Sequence, residues 1–338
     1  MVKMECFLPY LIMIVILIFL GYDIFFTILR RETFKVILVD KKFGCFNTDY
    51  LTATGMEHIE VDGDGDNNYI RFLLNNRSEV EINSGLPQTS NVSLHLEQFK
   101  KDVKGHEWQD FEGIISIMMS YWHPDWNMNY GDLKIYQDRS IDLSEKMNEK
   151  LVEEQMTEQI KQKAQEMFEE SAKNILLKTL KQGKALIPEA KWGLAGSPVC
   201  TNCESCSLDN NSRFDWLFST SGAAFPELVL HKNGNKVEKI SKCIESYSKI
   251  KSKYKIKVFL NTKLTYHGEQ EFINQTDLTD LIDIFLQTKN LGYDGIIISI
   301  INDPRNKEFC DSLNALLNPQ DSLGKIIKEL TEDWFFKP

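Results

Sequence analysis

An α/β fold is predicted for the body of this chain from three observations. Short apolar runs of strand length recur from residue 33 to 317. Amphipathic or charged runs of helix length separate them. No internal repeat, linker or low-complexity tract interrupts the alternation, so residues 33–338 read as one domain. Alternation of this kind is the signature of a (β/α) barrel or a doubly wound sheet.

The elements follow in order. Residues 33–39 (TFKVILV) read as a first buried strand and 57–61 as a second. Residues 93–103 place Leu94, Phe99 and Val103 at roughly helical spacing, with His95 a lone, partly satisfied helical histidine. Behind Gly113, residues 114–119 form a nearly continuous apolar run, as expected of a strand buried on both faces. Residues 143–183 read as a long helical region with alternating charge on a solvated face, ended by Gly183 and Pro188. Residues 190–200 start strand-like and become a loop; 225–230 and 257–262 are strands; 237–250 and 277–290 are helices. The most apolar strand is 296–301, introduced by Gly292-Tyr293-Asp294-Gly295.

The segment before the body differs in kind. Residues 7–29 are almost wholly apolar, broken by Pro9, Gly21, Tyr22, Asp23 and Thr27. They are long enough to span a bilayer as a hydrophobic helix. No A-x-A-like cleavage site is visible, so residues 1–32 read as a signal anchor in preference to a cleaved signal peptide. Arg30, Arg31 and Lys35 favour a cytoplasmic C-terminal side, against the signs of export. Those signs are four N-x-S/T sequons, at Asn76, Asn91, Asn210 and Asn274, behind the hydrophobic leader. They point to an extracellular or lumenal body in which disulfides are allowed. The net charge of −10 argues against nucleic acid as a partner.

Two motifs suggest a metal and do not complete one. Asp62-Gly63-Asp64-Gly65-Asp66 begins like a calcium loop, but Asn67 and Leu73 stand where its glycine and closing glutamate belong. It reads as an acidic turn. Cys200, Cys203 and Cys206 have clip spacing without a fourth ligand, and in an oxidising compartment they read as a local disulfide. No metal or cofactor is expected.

Residues 111–129 are the stretch on which function turns. In a parallel barrel, chemistry sits in loops leaving the C-terminal ends of strands, so carboxylates would be sought near 118–120. Met118, Met119 and Ser120 stand there. Asp110 and Glu112 lie before the strand, about 20 Å from that end at about 3.3 Å per residue. Ser120, His123 and Asp125 have the residue types of a hydrolytic triad, but no nucleophile elbow or oxyanion hole accompanies them.

Taken together, the signposts resemble the hyaluronidase family. Gly85-Leu86-Pro87-Gln88 followed by Leu94-His95-Leu96 is similar to its G-G-V-P-Q and L-x-x-H-L segment. Phe111 and Gly113 with Trp122 and Pro124 resemble the two ends of its acidic motif. Trp192-Gly193, Pro198 and Cys200, then Trp216-Leu217, Pro226 and Asp294-Gly295, resemble later family segments.

The resemblance implies a distorted (β/α) TIM-like barrel, with Cys45 paired to Cys310 and Cys200 paired to Cys206 or Cys203. It implies a hyaluronan or chondroitin glycosaminoglycan as ligand. It also implies substrate-assisted hydrolysis by an Asp that orients the acetamido group and a Glu that serves as acid and base, an exception to the usual two-carboxylate mechanism. Those positions fall on Met118 and Ser120, and the family's arginine falls on His123. Two tyrosines and a tryptophan fall on Ala195, Val229 and Ser299. The implied protein is an inactive or severely impaired relative that binds a glycan or a protein. The alternative is an active endo-N-acetylhexosaminidase with a relocated general acid.

Overall fold

A computed structural model describes residues 33–41, 48–61, 71–75, 78–105, 110–118, 121–196, 213–232, 237–266, 269, 271–300 and 307–332. The leader at 1–32 and the acidic turn at 62–66 fall outside these. Among the described residues no helix is long and apolar enough to cross a membrane.

Strand β1 (Lys35–Lys41) pairs in parallel with β2 (Glu57–Val61) on one side and β10 (Gly295–Ser299) on the other. From β10 the sheet continues in parallel through β9 (Lys257–Thr262) to the short β7 (Ala223–Ala224) and β8 (Glu227–Leu228). Pro226 separates those two pieces, where the sequence predicts one strand over 225–230. A bridge from Ala195 to Phe225 joins β6 (Lys191–Leu194), and β6 pairs with β5 (Ile114–Ile117). The result is the curved parallel wall of a distorted barrel. A hairpin of β3 (Arg71–Asn75) and β4 (Ser78–Ile82) pairs apart from it.

Alternation along the strands divides the apolar side chains into two sets. Val36, Leu38, Val258, Leu260, Ile296, Ile298, Trp192 and Leu228 face outward into the main core shared with the helices. Ile37, Ala223, Phe225 and Phe259 form a second cluster with Val39, Ile114 and Ile297. These are the intervening positions, so this cluster is the plug of the barrel interior. The Phe225 and Phe259 rings stack there at 6.4 Å. Gly193 and Gly295 keep the plug tight: a Cβ on either would stand 2.2 Å from a neighbouring carbonyl oxygen. Within β5, Ser116 is exposed, so this strand is not buried on both faces as its apolar run predicts.

The helices occur near their predicted places, with corrections at their limits. Helix α1 (Thr48–Thr54) follows β1. Helix α2 (Val92–Gly105) buries His95, Phe99 and Val103 and leaves Leu94 52% exposed. Positions 95, 99 and 103 repeat every four residues and share a face; Leu94 is five residues from Phe99 and turns away. The predicted helix over 143–183 is three: α3 (Lys134–Met147), α4 (Glu149–Glu153) and α5 (Thr157–Leu186). Gly183 does not end α5. It is buried inside the helix, where Trp192 packs so closely that an added Cβ would lie 2.8 Å from the indole. Helix α6 (Asp215–Phe218) precedes β7, α7 (Val237–Tyr254) precedes β9, and α8 (Gln275–Asn290) precedes β10. Helices α9 (Lys307–Leu317) and α10 (Ser322–Thr331) close the chain against α1.

Asp294 fastens the N-terminal end of the wall. Its side chain is 10% exposed, and its carboxylate takes Lys251 Nζ at 2.7 Å, Lys257 Nζ at 3.2 Å and the Val258 N–H at 2.8 Å. Asp294→Ala removes the carboxylate shared by Lys251, Lys257 and the Val258 amide, while Lys251 keeps the Gly292 carbonyl at 2.6 Å. It is expected to cost about 2 kcal/mol, read as a lower urea midpoint at unchanged slope. An unchanged midpoint would show that water replaces the carboxylate at no cost.

Candidate functional site

The C-terminal ends of β5, β6, β8, β9 and β10 open on one mouth of the barrel. The alternation that puts Ile114, Phe225, Phe259 and Ile297 in the plug assigns the residues above them to the same lumenal side. These are Met118 beyond β5, Ala195 beyond β6, Glu227 and Val229 on and after β8, Asn261 on β9, and Ser299 ending β10. Met118, Ala195 and Ser299 are partly buried, and Val229 is buried. Four positions that the resemblance singles out, distant in sequence, therefore lie round one opening. Ser120 lies outside the described residues, as do Cys45, Cys200, Cys203, Cys206, Asn76 and Asn210.

The loop after β5 is held by packing and hydrogen bonds rather than left free. Trp122 and Trp126 are buried edge-on against Phe168 of α5, at 6.2 and 5.8 Å. Buried Asn129 receives the His123 N–H on Oδ1 at 2.9 Å and donates from Nδ2 to the His123 and Asp125 carbonyls, both at 2.9 Å. Asp125 caps the short 3-10 turn Trp126–Met128 by accepting the Asn127 N–H at 2.9 Å. Its other oxygen faces Arg213 at 3.5 Å, and Arg213 also pairs with Glu169 at 2.7 Å. Asp125 is thus spent on the cap and on Arg213. The His123 imidazole is lowered to about 4 by burial alone, with no contribution from Asp125. Asp125 is therefore not engaged with His123 as the acid of a triad would be. Asp110 and Glu112 are exposed ahead of β5, at its opposite end.

Glu227 is a residue that the sequence reading passes over. Its side chain is on the lumenal face of β8, with Oε2 only 3.7 Å from where a Cβ on Gly196 would stand. Burial raises its carboxyl above the usual range, and the charge of Lys263 works the other way. Its strand partner Asn261 has a buried side-chain oxygen that makes no hydrogen bond. The available signal was a lone acid inside the apolar run F-P-E-L-V-L.

Other predicted residues have settled places. His95 is fully buried, its Nε2 2.8 Å from the Thr179 hydroxyl, and burial lowers it to about 4. Cys310 on α9 is disulfide-bonded. So is Cys243 on α7, which the sequence leaves unassigned. Asn91 and Asn274 are exposed, and each uses Oδ1 to accept an N–H of the following helix, which leaves Nδ2 out of the cap. Among the described residues no group of three His, Cys, Asp or Glu side chains is arranged to hold a metal ion.

Comparison with known proteins agrees with this architecture. The sequence profile of the family described as hyaluronidase matches residues 71–334. "Inactive hyaluronidase B" of Vespula vulgaris is 27% identical over 92% of this chain and 95% of its own length. "Hyaluronidase PH-20" of Homo sapiens is 27% identical over 79% of this chain. Only 55% of that human protein is spanned. The crystal structure of bee venom hyaluronidase in complex with a hyaluronic acid tetramer superimposes with a TM-score of 0.75. It is 20% identical and covers 88% of this chain and 100% of its own.

Proposed function

Because this chain belongs to the hyaluronidase family, we propose that it keeps the barrel mouth as a glycosaminoglycan-binding surface and has lost the family's hydrolytic chemistry. One observation carries this reading: the lumenal position beyond β5 holds Met118, a thioether, where the resemblance puts the carboxylate that orients an acetamido group. A thioether is only a weak acceptor. Ser120, at the position of the acid, has a hydroxyl far too weak to protonate a leaving oxygen near neutral pH. His123, lowered to about 4, is neutral there and is no substitute acid. Ala195, Val229 and Ser299 bring no phenol or indole to a sugar. Two relatives lend support: one is called inactive hyaluronidase B, and another was crystallised with a hyaluronic acid tetramer.

The reading extends to the whole chain. Residues 33–338 form one barrel domain exposed outside the cell or in the lumen of the secretory pathway. Residues 7–29 anchor it, or guide its secretion. Cys310 pairs with Cys45, Cys200 pairs with Cys206 or Cys203, and Asn76, Asn91, Asn210 and Asn274 carry glycans. A protein ligand at the same mouth is the remaining partner class.

The test is binding and turnover measured together. The purified protein is expected to retain hyaluronan or chondroitin on a glycan surface at low salt and to release no new reducing ends. Ready turnover would overturn the loss of chemistry, and no retention would overturn the glycan. A second reading, hydrolysis by a relocated acid, is favoured by Glu227, whose buried carboxyl shares the mouth. On that reading Glu227→Gln abolishes whatever turnover is found.

A further inference from the structure

We propose that the base of the barrel, at the end away from the mouth, is a binding site for the sulfate groups of a sulfated glycan. The site goes beyond the reading above and needs nothing from the mouth. Residues 249–257 read K-I-K-S-K-Y-K-I-K, five lysines in nine residues of a chain whose net charge is −10. Lysine-rich runs of this length mark heparin-type patches. The fold wraps the run round one end of the wall, from the last turns of α7 to the first residue of β9. Lys251, Lys255 and Lys257 line one open cleft of about 420 Å³ with Ser248, Ser252 and Asp294. Lys249 and Lys253 are exposed on the same turns of α7. Asp294 takes Lys251 and Lys257, at 2.7 and 3.2 Å, and Asp215 takes Lys253 at 3.1 Å. Lys249 and Lys255 enter no ion pair among the described residues, so the patch keeps a cationic excess.

The charge continues across the base. Lys191 opens β6 beside Gly222, whose carbonyl takes the Lys257 N–H at 3.0 Å. Lys184, near the end of α5, has its ammonium pushed below the usual range, first by burial and then by the charge of Lys191. Exposed Asp110, Glu112 and Glu189 border the side of β5 and β6, so the site is centred on α7 and β9. The helix dipole accounts for lysines in the last turn of α7 but not for those beyond it. Lys255 has left the helix and holds φ at +54°, the left-handed conformation that glycine adopts without strain at a helix end. Glycine would serve the fold better there, whereas lysine brings a cation to the cleft. Ammonium groups that converge in a concave site are reached by a thin glycan chain and not by the plane of a bilayer. Three such donors round one space suit the oxygens of a sulfate better than the two of a carboxylate.

The experiment is calorimetry of the full chain with three probes: a heparin hexasaccharide, the same sugar with its sulfates removed, and vesicles of phosphatidylcholine with phosphatidylserine. The sulfated sugar is expected to bind at least about tenfold more tightly than the desulfated one, and to weaken as salt rises. Lys249→Gln with Lys255→Gly should weaken it about tenfold. Lys150→Gln with Lys161→Gln removes the same charge from α4 and α5 and should leave binding unchanged. Lys255→Gly alone should weaken the sugar about threefold and raise the urea midpoint, because glycine relieves the left-handed backbone. A lysine with only a structural role would not give that opposite pair of effects. Equal binding of the two sugars, equal loss in the two double variants, or undiminished binding in Lys255→Gly overturns the proposal. So does a preference for the anionic vesicles that the base lysines control, which would make this face a lipid contact. Hyaluronan held at the mouth should survive the base substitutions, so the two sites stand or fall separately.

Discussion

Hyaluronan incubated with this protein from pH 4 to pH 8 is expected to yield reducing ends at least 100- to 10,000-fold more slowly than with a relative bearing both family carboxylates. That range is the usual value of one positioned acid or base. On the proposed reading the acid, the acetamido-orienting carboxylate and three ring-bearing positions all differ, at Ser120, Met118, Ala195, Val229 and Ser299. The losses do not simply add, because groups that act as a unit fail together. For the same reason Met118→Asp with Ser120→Glu is expected to restore measurable turnover well short of the relative's rate. Adding Val229→Tyr and Ser299→Trp to that pair is expected to raise it further. Natural turnover within tenfold of an active relative would sink the reading. A four-fold variant that binds hyaluronan yet stays inert would place the defect elsewhere in the mouth.

The second large effect is on acid stability. His95 and His123 both have pKa values lowered from 6.5 to about 4, each by burial. In the unfolded chain each takes up a proton near 6.5, whereas in the folded protein each stays neutral until about 4. Between those values the unfolded state holds more protons, so stability falls as pH drops. The stabilisation is fully present above about 6.5 and is lost progressively towards 4. At about 1.4 kcal/mol per pH unit, each histidine accounts for up to about 3 kcal/mol. Urea midpoints at pH 7.5, 5.5 and 4.5 should decline steeply in the natural protein. The decline should be shallower in His95→Gln and in His123→Gln. Equal slopes in all three would mean that the imidazoles are hydrated and titrate normally.

Much of the architecture was legible because strand burial is written in local composition. The limits of β9 were read correctly, since its apolar run Val258–Leu260 is bounded by polar residues; those of β2, E-H-I-E-V, were also read correctly, without such a run. Helix ends were less legible. Gly183 has the look of a terminator, yet it is required inside α5 by the indole of Trp192. Leu94 is more apolar than His95, but the repeat of Phe99 and Val103 turns the histidine inward, where Thr179 meets it. Neither result follows from the residue's own character; each needs a partner that the sequence does not place.

The sequence alone determined the α/β alternation, the family resemblance and the presence of Met118 and Ser120 where that resemblance puts two carboxylates. These depend on residue identity and spacing along the chain. Only the tertiary structure decided that Asp125 turns to Arg213 and the cap of its own loop rather than to His123. Only the pairing of β8 with β9 set Glu227 beside the unpaired oxygen of Asn261, from positions more than thirty residues apart. The physical reason is the same in both cases: a side chain's charge and hydrogen bonds are set by what folding brings against it.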